Sequence, residues 1–138
     1  MLKHLDCLFV RYPLFRYIPA LLLLACIFRT SAIPGTGMTW LVPPYDKLVH
    51  AGVYACLGVF FCFWFKNPRW NAKPFLYAFI AVILCVVSGV LDEFHQSFTP
   101  GRSVSLGDVG ADFVGGLIGS VFYLIIQPWK RFRIFREK

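Results

Sequence analysis

The stretch Pro74-Phe-Leu-Tyr-Ala-Phe-Ile-Ala-Val-Ile-Leu-Cys-Val-Val-Ser-Gly-Val-Leu91 runs for eighteen residues without a charge. A membrane-spanning helix needs about 20 mostly apolar residues, with a range of roughly 17 to 25. The whole chain suits that environment, since 58% of its 138 residues are hydrophobic and 18% are aromatic. The sequence therefore predicts an all-α membrane protein rather than an ordinary soluble domain.

Two other apolar stretches also have lengths that suit membrane spans. Residues 48–65 are apolar except for His50 and Tyr54, and residues 109–129 contain a single acid, Asp112. An N-terminal stretch becomes long enough if the arginines at its two ends extend toward opposite membrane faces. The alternative is a signal peptide cleaved after Ala32. We predict one domain over residues 1–138, a bundle of four transmembrane helices with spans at about 14–33, 46–65, 74–96 and 108–129.

The distribution of basic residues predicts the orientation of this bundle. Eleven of the fourteen Lys and Arg residues lie in the N-terminal segment, the connection between the second and third spans, and the C-terminal tail. In a four-span arrangement these three segments share one side of the membrane, and basic residues favour the cytoplasmic side. We therefore expect both termini to be cytoplasmic. We expect no nucleic-acid partner, because the positive charge follows the ends of the apolar segments.

Ionisable side chains on the second span form the first part of a candidate site. Asp46, His50 and Tyr54 recur every four residues, so in a helix they form a stripe that descends from its predicted outer end. Lys47 lies beside the top of the stripe. A single His in a span is often a satisfied group that bridges helices, but Asp46 and other outer acids could hold this one in a chosen tautomer or protonation state. Ionisable groups inside a span favour a functional interpretation.

The third and fourth spans contribute the second part of the site. Glu93 and Gln96 lie three residues apart at the end of the third span, before Pro100-Gly101 breaks the helix. Asp108 could cap the fourth helix, which would place Asp112 about 6 Å deeper. Three helix ends would then present polar side chains at one depth. We predict an outward-facing polar pocket that loop residues such as Arg102 fold over.

Small residues form a separate stripe on the fourth span. Gly107, Ala111, Gly115 and Gly119 recur at four-residue intervals. Small residues at this spacing allow two helix backbones to approach closely. The pattern therefore favours a helix-packing surface over a ligand contact, and close packing would turn Asp112 into the bundle.

Three ordered motifs between about residues 40 and 125 resemble the VanZ-like family, named for a membrane protein associated with resistance to the glycopeptide antibiotic teicoplanin. The motifs are Asp46-Lys47-Leu-Val-His50 with Tyr54, Glu93-Phe-His-Gln96, and Pro100-Gly-Arg102-Ser103-Val-Ser-Leu-Gly-Asp108 followed by Gly115-Gly116-Leu-Ile-Gly119. The resemblance implies a multi-pass protein of the bacterial cytoplasmic membrane. This chain departs from the family pattern at Asp112, where relatives usually have Asn.

Two main functions use the same polar residues. In the first, the protein is an enzyme that acts on a lipid-linked or envelope phosphate. Anionic oxygens would be bound by Arg102, Lys47 and protonated His50, and a proton would be exchanged by Glu93 or Asp112. Under this hypothesis Glu93, His50 and Asp112 are the catalytic residues. As a binder of an envelope lipid, a cell-wall precursor or an antibiotic, the site needs no proton transfer. The predicted ligand-binding residues are Asp46, Lys47, Tyr54, Gln96, Arg102, Ser103 and Asp108.

A third hypothesis is a small proton- or ion-coupled carrier, in which Asp112, His50 and Tyr54 would form a relay. The sequence identifies no cofactor, and we assign no metal. A divalent cation held by carboxylates is the alternative, because hard cations favour carboxylate oxygen, although nearby basic residues could neutralise the same acids. The carboxylates in question belong to Asp92, Glu93, Asp108 and Asp112. The expected partners are membrane lipids and a cell-envelope glycolipid or glycopeptide, with the oligomeric state left open.

Overall fold

The computed structural model describes residues 11–35, 45–65, 70 and 72–136, with side-chain environments as far as residue 126. A single 3-10 turn at Pro13–Arg16 precedes the first helix. The helices with described bounds are α1 (Ile18–Ser31), α2 (Tyr45–Phe63), α3 (Pro74–Gln96) and α4 (Leu106–Arg136). The described ranges contain no strand, so the prediction of an all-α fold is confirmed.

Helix length and composition identify the membrane-spanning elements. α2, α3 and the part of α4 up to Ile126 are each long and apolar enough to cross a membrane. α1 is apolar but shorter, with 14 residues inside the predicted span at 14–33. Proline stands in the first turn of both α1 and α3, where its missing N–H has no helical partner to lose. The arrangement is a four-helix membrane bundle.

The outer surface of the bundle is apolar. Leu22 on α1, Phe75 and Phe79 on α3, and Ile125 on α4 each leave at least 60% of the residue surface exposed. Apolar patches of this extent are rare on soluble monomers, but lipid tails cover them at no cost. The exposed apolar side chains therefore indicate a membrane protein with several spans.

The closest helix contact lies between α2 and α4. A methyl group added at Gly115 would overlap the backbone carbonyl of Ala51, and one added at Gly119 would overlap that of Ala55. The predicted packing role of the small-residue stripe is confirmed at these two glycines. Because both helices begin at the same end of the bundle, this contact holds them side by side and in parallel.

The two ends of the bundle differ in chemistry. Aromatic side chains fill one end, where the buried Trp70 meets Tyr123 edge to face with ring centroids 4.7 Å apart. Leu57 and Phe61 continue this core toward the middle of the bundle. The other end is formed by the start of α2, the end of α3 and the start of α4, and it carries Asp46, Asp92, Glu93, Asp108 and Asp112 together with Lys47 and His50. We call it the polar end.

Candidate functional site

Two side-chain pairs connect α2 to α4 at the polar end. Lys47 Nζ donates to Asp108 Oδ1 over 2.7 Å, and His50 Nδ1 lies 2.9 Å from Asp112 Oδ1 in a hydrogen bond. The members of the second pair are three and four residues further along their helices. In parallel helices this spacing moves both partners about one turn deeper, so the pairs are stacked.

Asp108 occupies a different place from the helix cap predicted for it. α4 begins at Leu106, so Asp108 is already in the first turn, and its N–H donates to the carbonyl of Ser105 over 3.0 Å. Its carboxylate binds Lys47 instead of the helix end. An acid in the first turn still interacts favourably with the positive end of the helix dipole.

The group beside His50 is Asp112, whereas the sequence pointed first to Asp46. Asp112 is fully buried, and its Oδ2 has no hydrogen-bond partner among the described residues. This carboxylate lies against Gly89 of α3, where any larger side chain would overlap it. Asp46 accepts a hydrogen bond from the backbone N–H of Lys47 over 2.8 Å.

Tyr54 lies one turn deeper than His50 on α2. The two rings are nearly parallel, with an interplanar angle of 9° and centroids 6.4 Å apart. Its hydroxyl is buried without a hydrogen-bond partner among the described residues. The predicted stripe on α2 therefore exists, and its deepest member carries an unused polar group.

Glu93 brings α3 to the same cluster. The backbone N–H of Ser105 donates to Glu93 Oε2 over 2.7 Å, which ties the start of α4 to the end of α3. Glu93 is only 3% exposed, and its Oε1 has no hydrogen-bond partner in the described part of the chain. One donor atom each from His50, Glu93 and Asp108 lie within 4.8 Å of one another. We refer to Lys47, His50, Glu93, Asp108 and Asp112 as the polar cluster.

Gln96 and Asp92 form a separate network that joins α3 to α1. The hydroxyl of Ser31 donates to Asp92 Oδ1 over 2.6 Å, and the amide of Gln96 donates to Asp92 Oδ2 over 2.9 Å. Thr99 adds a bond from its hydroxyl to the carbonyl of Ser31 over 3.1 Å. Gln96, predicted as a ligand-binding residue, thus lies with the α1 contact and outside the polar cluster.

The loop between α3 and α4 supplies the remaining predicted residues. Gly101 has a φ of 74°, a conformation that glycine adopts without strain. Arg102 follows with a partly buried side chain. The backbone N–H of Arg102 donates to the carbonyl of Thr99 over 3.2 Å. Ser103 is exposed. These residues border the polar cluster through Ser105, which contacts Glu93.

Sequence reasoning missed the contacts that Ser31, Ser105 and Gly89 make at this end of the bundle, although it predicted that the loop containing Ser105 folds over the polar residues. Ser31 binds Asp92 across 61 positions of the chain. Ser105 acts through its backbone, which no side-chain pattern reveals. Gly89 makes room for Asp112, and the only available signal was a glycine inside an otherwise bulky apolar helix.

The comparisons with known proteins match most of the chain to one family. A scan against protein-family models matches residues 13–127 to the family described as VanZ/LLP1. The matched region contains α1, α2, α3, the apolar part of α4 and every residue of the polar cluster. No curated protein and no solved structure matches the chain.

Proposed function

Because this chain belongs to the VanZ/LLP1 family, we propose that it is a binding protein for the polar head group of an envelope lipid or a lipid-linked cell-wall precursor. The observation that carries the proposal is the polar cluster itself, a set of ionisable side chains gathered at one end of a bundle whose outer surface is apolar. Such residues are costly in a membrane and mark functional sites.

Exposed apolar side chains beside the cluster favour an amphiphilic ligand over a soluble one. Leu48 on α2 is 66% exposed, Phe94 on α3 is 64% exposed, and Leu106 on α4 is 88% exposed. All three stand on the same helix ends as the polar residues. A head group bound at the cluster could therefore leave its acyl chains along these apolar surfaces.

The basic residues suit an anionic head group. Lys47 binds Asp108 but keeps 44% of its side chain exposed, and an ammonium group has three N–H donors. Arg102 in the neighbouring loop has the planar donor arrangement that matches phosphate or carboxylate. Asp108 therefore positions Lys47, and Lys47 and Arg102 are the basic groups that we expect at the ligand.

The proposed location is the outer leaflet of the bacterial cytoplasmic membrane. Its support is the concentration of Lys and Arg in the termini and in the connection between α2 and α3, since basic segments stay in the cytoplasm. The polar end then faces outward. The VanZ/LLP1 family is associated with teicoplanin resistance, and a protein that binds an outer-leaflet precursor would change the display of a glycopeptide target.

The test is to identify the lipids that co-purify with the full-length protein by native mass spectrometry in detergent. We expect a phosphate-bearing lipid on the wild type and about tenfold less of it on Arg102→Ala, since losing a charge-assisted bond costs roughly 1.5–3 kcal/mol. Arg29→Ala is the matched control, because Arg29 is an exposed arginine at the end of α1. Identical lipid profiles for all three proteins would contradict the proposal.

Acid–base catalysis on the same ligand is a second candidate, favoured by the contact between His50 and Asp112. A buried carboxylate that orients one ring nitrogen leaves the other available to move a proton. Glu93, with one unpaired oxygen and a donor atom within 4.8 Å of one of His50, can serve as a second proton carrier. Conversion of the co-purified lipid by the wild type, lost in His50→Gln while the lipid still binds, would identify an enzyme.

The carrier hypothesis has less support in the described residues. Below Tyr54 the buried side chains of α2 are Leu57, Phe61 and Cys62, and the aromatic pair of Trp70 and Tyr123 closes the far end. A relay needs a chain of polar groups across the membrane. The contacts therefore favour a site that is open at one end only.

A further inference from the structure

Three side chains from three different helices meet in the polar cluster with a composition that suits a metal ion. His50 comes from α2, Glu93 from α3 and Asp108 from α4, and their donor atoms lie within 4.8 Å of one another. One imidazole and two carboxylates form a common kind of ligand set for divalent transition ions. Unlike a group of acids alone, this set includes a ligand that discriminates against Mg²⁺ and Ca²⁺.

Each of the three side chains is oriented by a partner that uses only one of its polar atoms. Asp112 binds His50 at Nδ1, the N–H of Ser105 binds Glu93 at Oε2, and Lys47 binds Asp108 at Oδ1. With Asp112 ionised and His50 neutral, Nδ1 carries the hydrogen and Nε2 keeps the lone pair that a metal ion requires. Metal-binding histidines and carboxylates are typically held by such outer partners.

Glu93 gives an independent indication that a ligand is accommodated here. The side chain is 3% exposed, yet its Oε1 accepts no hydrogen bond in the described part of the chain. A buried carboxylate oxygen without a partner costs free energy, because it has lost water and gained nothing in return. A metal ion among the three donor atoms would satisfy it.

The charges of the polar cluster also favour a cation. Three carboxylates, from Glu93, Asp108 and Asp112, are accompanied within the cluster by one ammonium group, that of Lys47. A divalent ion at the three donor atoms would offset part of this negative charge, which also includes Asp46 at 3.9 Å from Lys47 Nζ. Buried charges need compensation of this kind.

We propose that His50, Glu93 and Asp108 bind a divalent transition-metal ion of the Zn²⁺ type, with Asp112 as the group that orients His50. Ligand atoms about 2.0–2.2 Å from a tetrahedral zinc ion lie roughly 3.5 Å from one another. Binding would draw the three donor atoms together by about 1 Å from their present limit of 4.8 Å. The fourth position stays open to water or to an anionic oxygen.

This set differs from the four carboxylates considered from the sequence. Asp92 is excluded because Ser31 and Gln96 occupy both of its oxygens. Asp112 orients His50 instead of binding the ion, and the imidazole of His50 is the ligand in place of the Asp112 carboxylate. The proposal does not depend on the lipid ligand, because the metal site rests on protein atoms alone.

The test measures zinc binding by the full-length protein in detergent, after removal of metal with a chelator. Glu93→Gln removes a ligand, and Asp92→Asn is the matched control at the adjacent residue. We expect one Zn²⁺ per chain with equal affinity in the wild type and Asp92→Asn. Loss of an outer partner weakens metal binding by about 10–100-fold. The zinc affinity of Asp112→Asn should therefore drop by a factor in that range, and the affinity of Glu93→Gln should drop by more.

A second readout avoids any variant that fails to fold. Zinc should raise the unfolding temperature of the wild type, and a chelator should reverse the rise, because a ligand that binds only the folded state stabilises it. Absence of zinc binding by the wild type would overturn the proposal. Unchanged affinity in Glu93→Gln, or an equal loss in Asp92→Asn, would also overturn it, since the ion would then be bound elsewhere.

Discussion

Two adjacent acids at the end of α3 have unrelated roles because a helix turns by about 100° per residue. Asp92 faces α1, where Ser31 satisfies one carboxylate oxygen, and Gln96 of α3 satisfies the other. Glu93 faces α2 and α4, where one oxygen binds Ser105 and the other is unpaired. Asp92 is therefore a structural residue, and Glu93 is the one available for chemistry.

Ser31→Ala is expected to loosen the attachment of α1 to the rest of the bundle. The change leaves a buried carboxylate oxygen without its donor, which costs roughly 1.5–3 kcal/mol of folding free energy. Thr30→Ala is the control on the same turn, because the Thr30 hydroxyl bonds only to carbonyls of its own helix, and the residue is exposed. Thermal unfolding in detergent measures both. Equal stability of the two variants would contradict a structural role for the Ser31 contact.

At the level of helices, the contact between α2 and α4 determines the geometry of the polar cluster. Gly115 and Gly119 lie against the backbone of α2, so the distance between the two helices is set by backbone contact rather than by long side chains. The same contact aligns Lys47 with Asp108 and His50 with Asp112. Packing in the middle of the bundle thus positions the two side-chain pairs at its polar end.

Gly119→Ala is expected to lower the free energy of unfolding by about 1–3 kcal/mol, because the added methyl group overlaps the carbonyl of Ala55. Gly110→Ala on the same helix has nothing within 4 Å of the added methyl group. That control should be neutral or up to about 1 kcal/mol more stable, since alanine favours helix over glycine. Unfolding followed by circular dichroism in detergent distinguishes them. Similar destabilisation in both would rule out the proposed backbone contact.

The molecule as a whole is asymmetric along the direction of its helices. The polar cluster lies at one end, and the aromatic core around Trp70 and Tyr123 lies at the other. α3 runs opposite to α2 and α4, so the end of α3 meets the starts of the other two. A polytopic protein with this asymmetry presents its site to one side of the membrane only.

We expect Ser103→Cys, in a background with the native cysteines replaced by alanine, to react with a membrane-impermeant maleimide in intact spheroplasts. Ser103 is exposed in the loop beside the polar cluster. Lys138→Cys in the tail should react only after permeabilisation, because the basic segments are expected to be cytoplasmic. Labelling measured on gels decides the orientation. The reverse pattern would place the polar end in the cytoplasm and remove the outer-leaflet proposal.

The sequence by itself determined the class of fold and the helix faces that carry polar or small residues. Uncharged runs of membrane-spanning length specify helices through local properties, since every backbone polar group in lipid must be satisfied within its own segment. Four-residue spacing placed His50 and Tyr54 on one face of α2, and placed Gly115 and Gly119 on one face of α4. Both patterns are properties of a single helix and are therefore visible in one stretch of residues.

Only the tertiary structure decided which side chains pair. The partner of His50 is Asp112 and that of Asp92 is Ser31, at separations of 62 and 61 positions. Such pairings depend on the rotation of each helix about its axis and on the register between helices, and the close glycine contacts of α4 with α2 set that register. A sequence pattern fixes the face of a helix that is polar, but the neighbour toward which that face turns is fixed by packing.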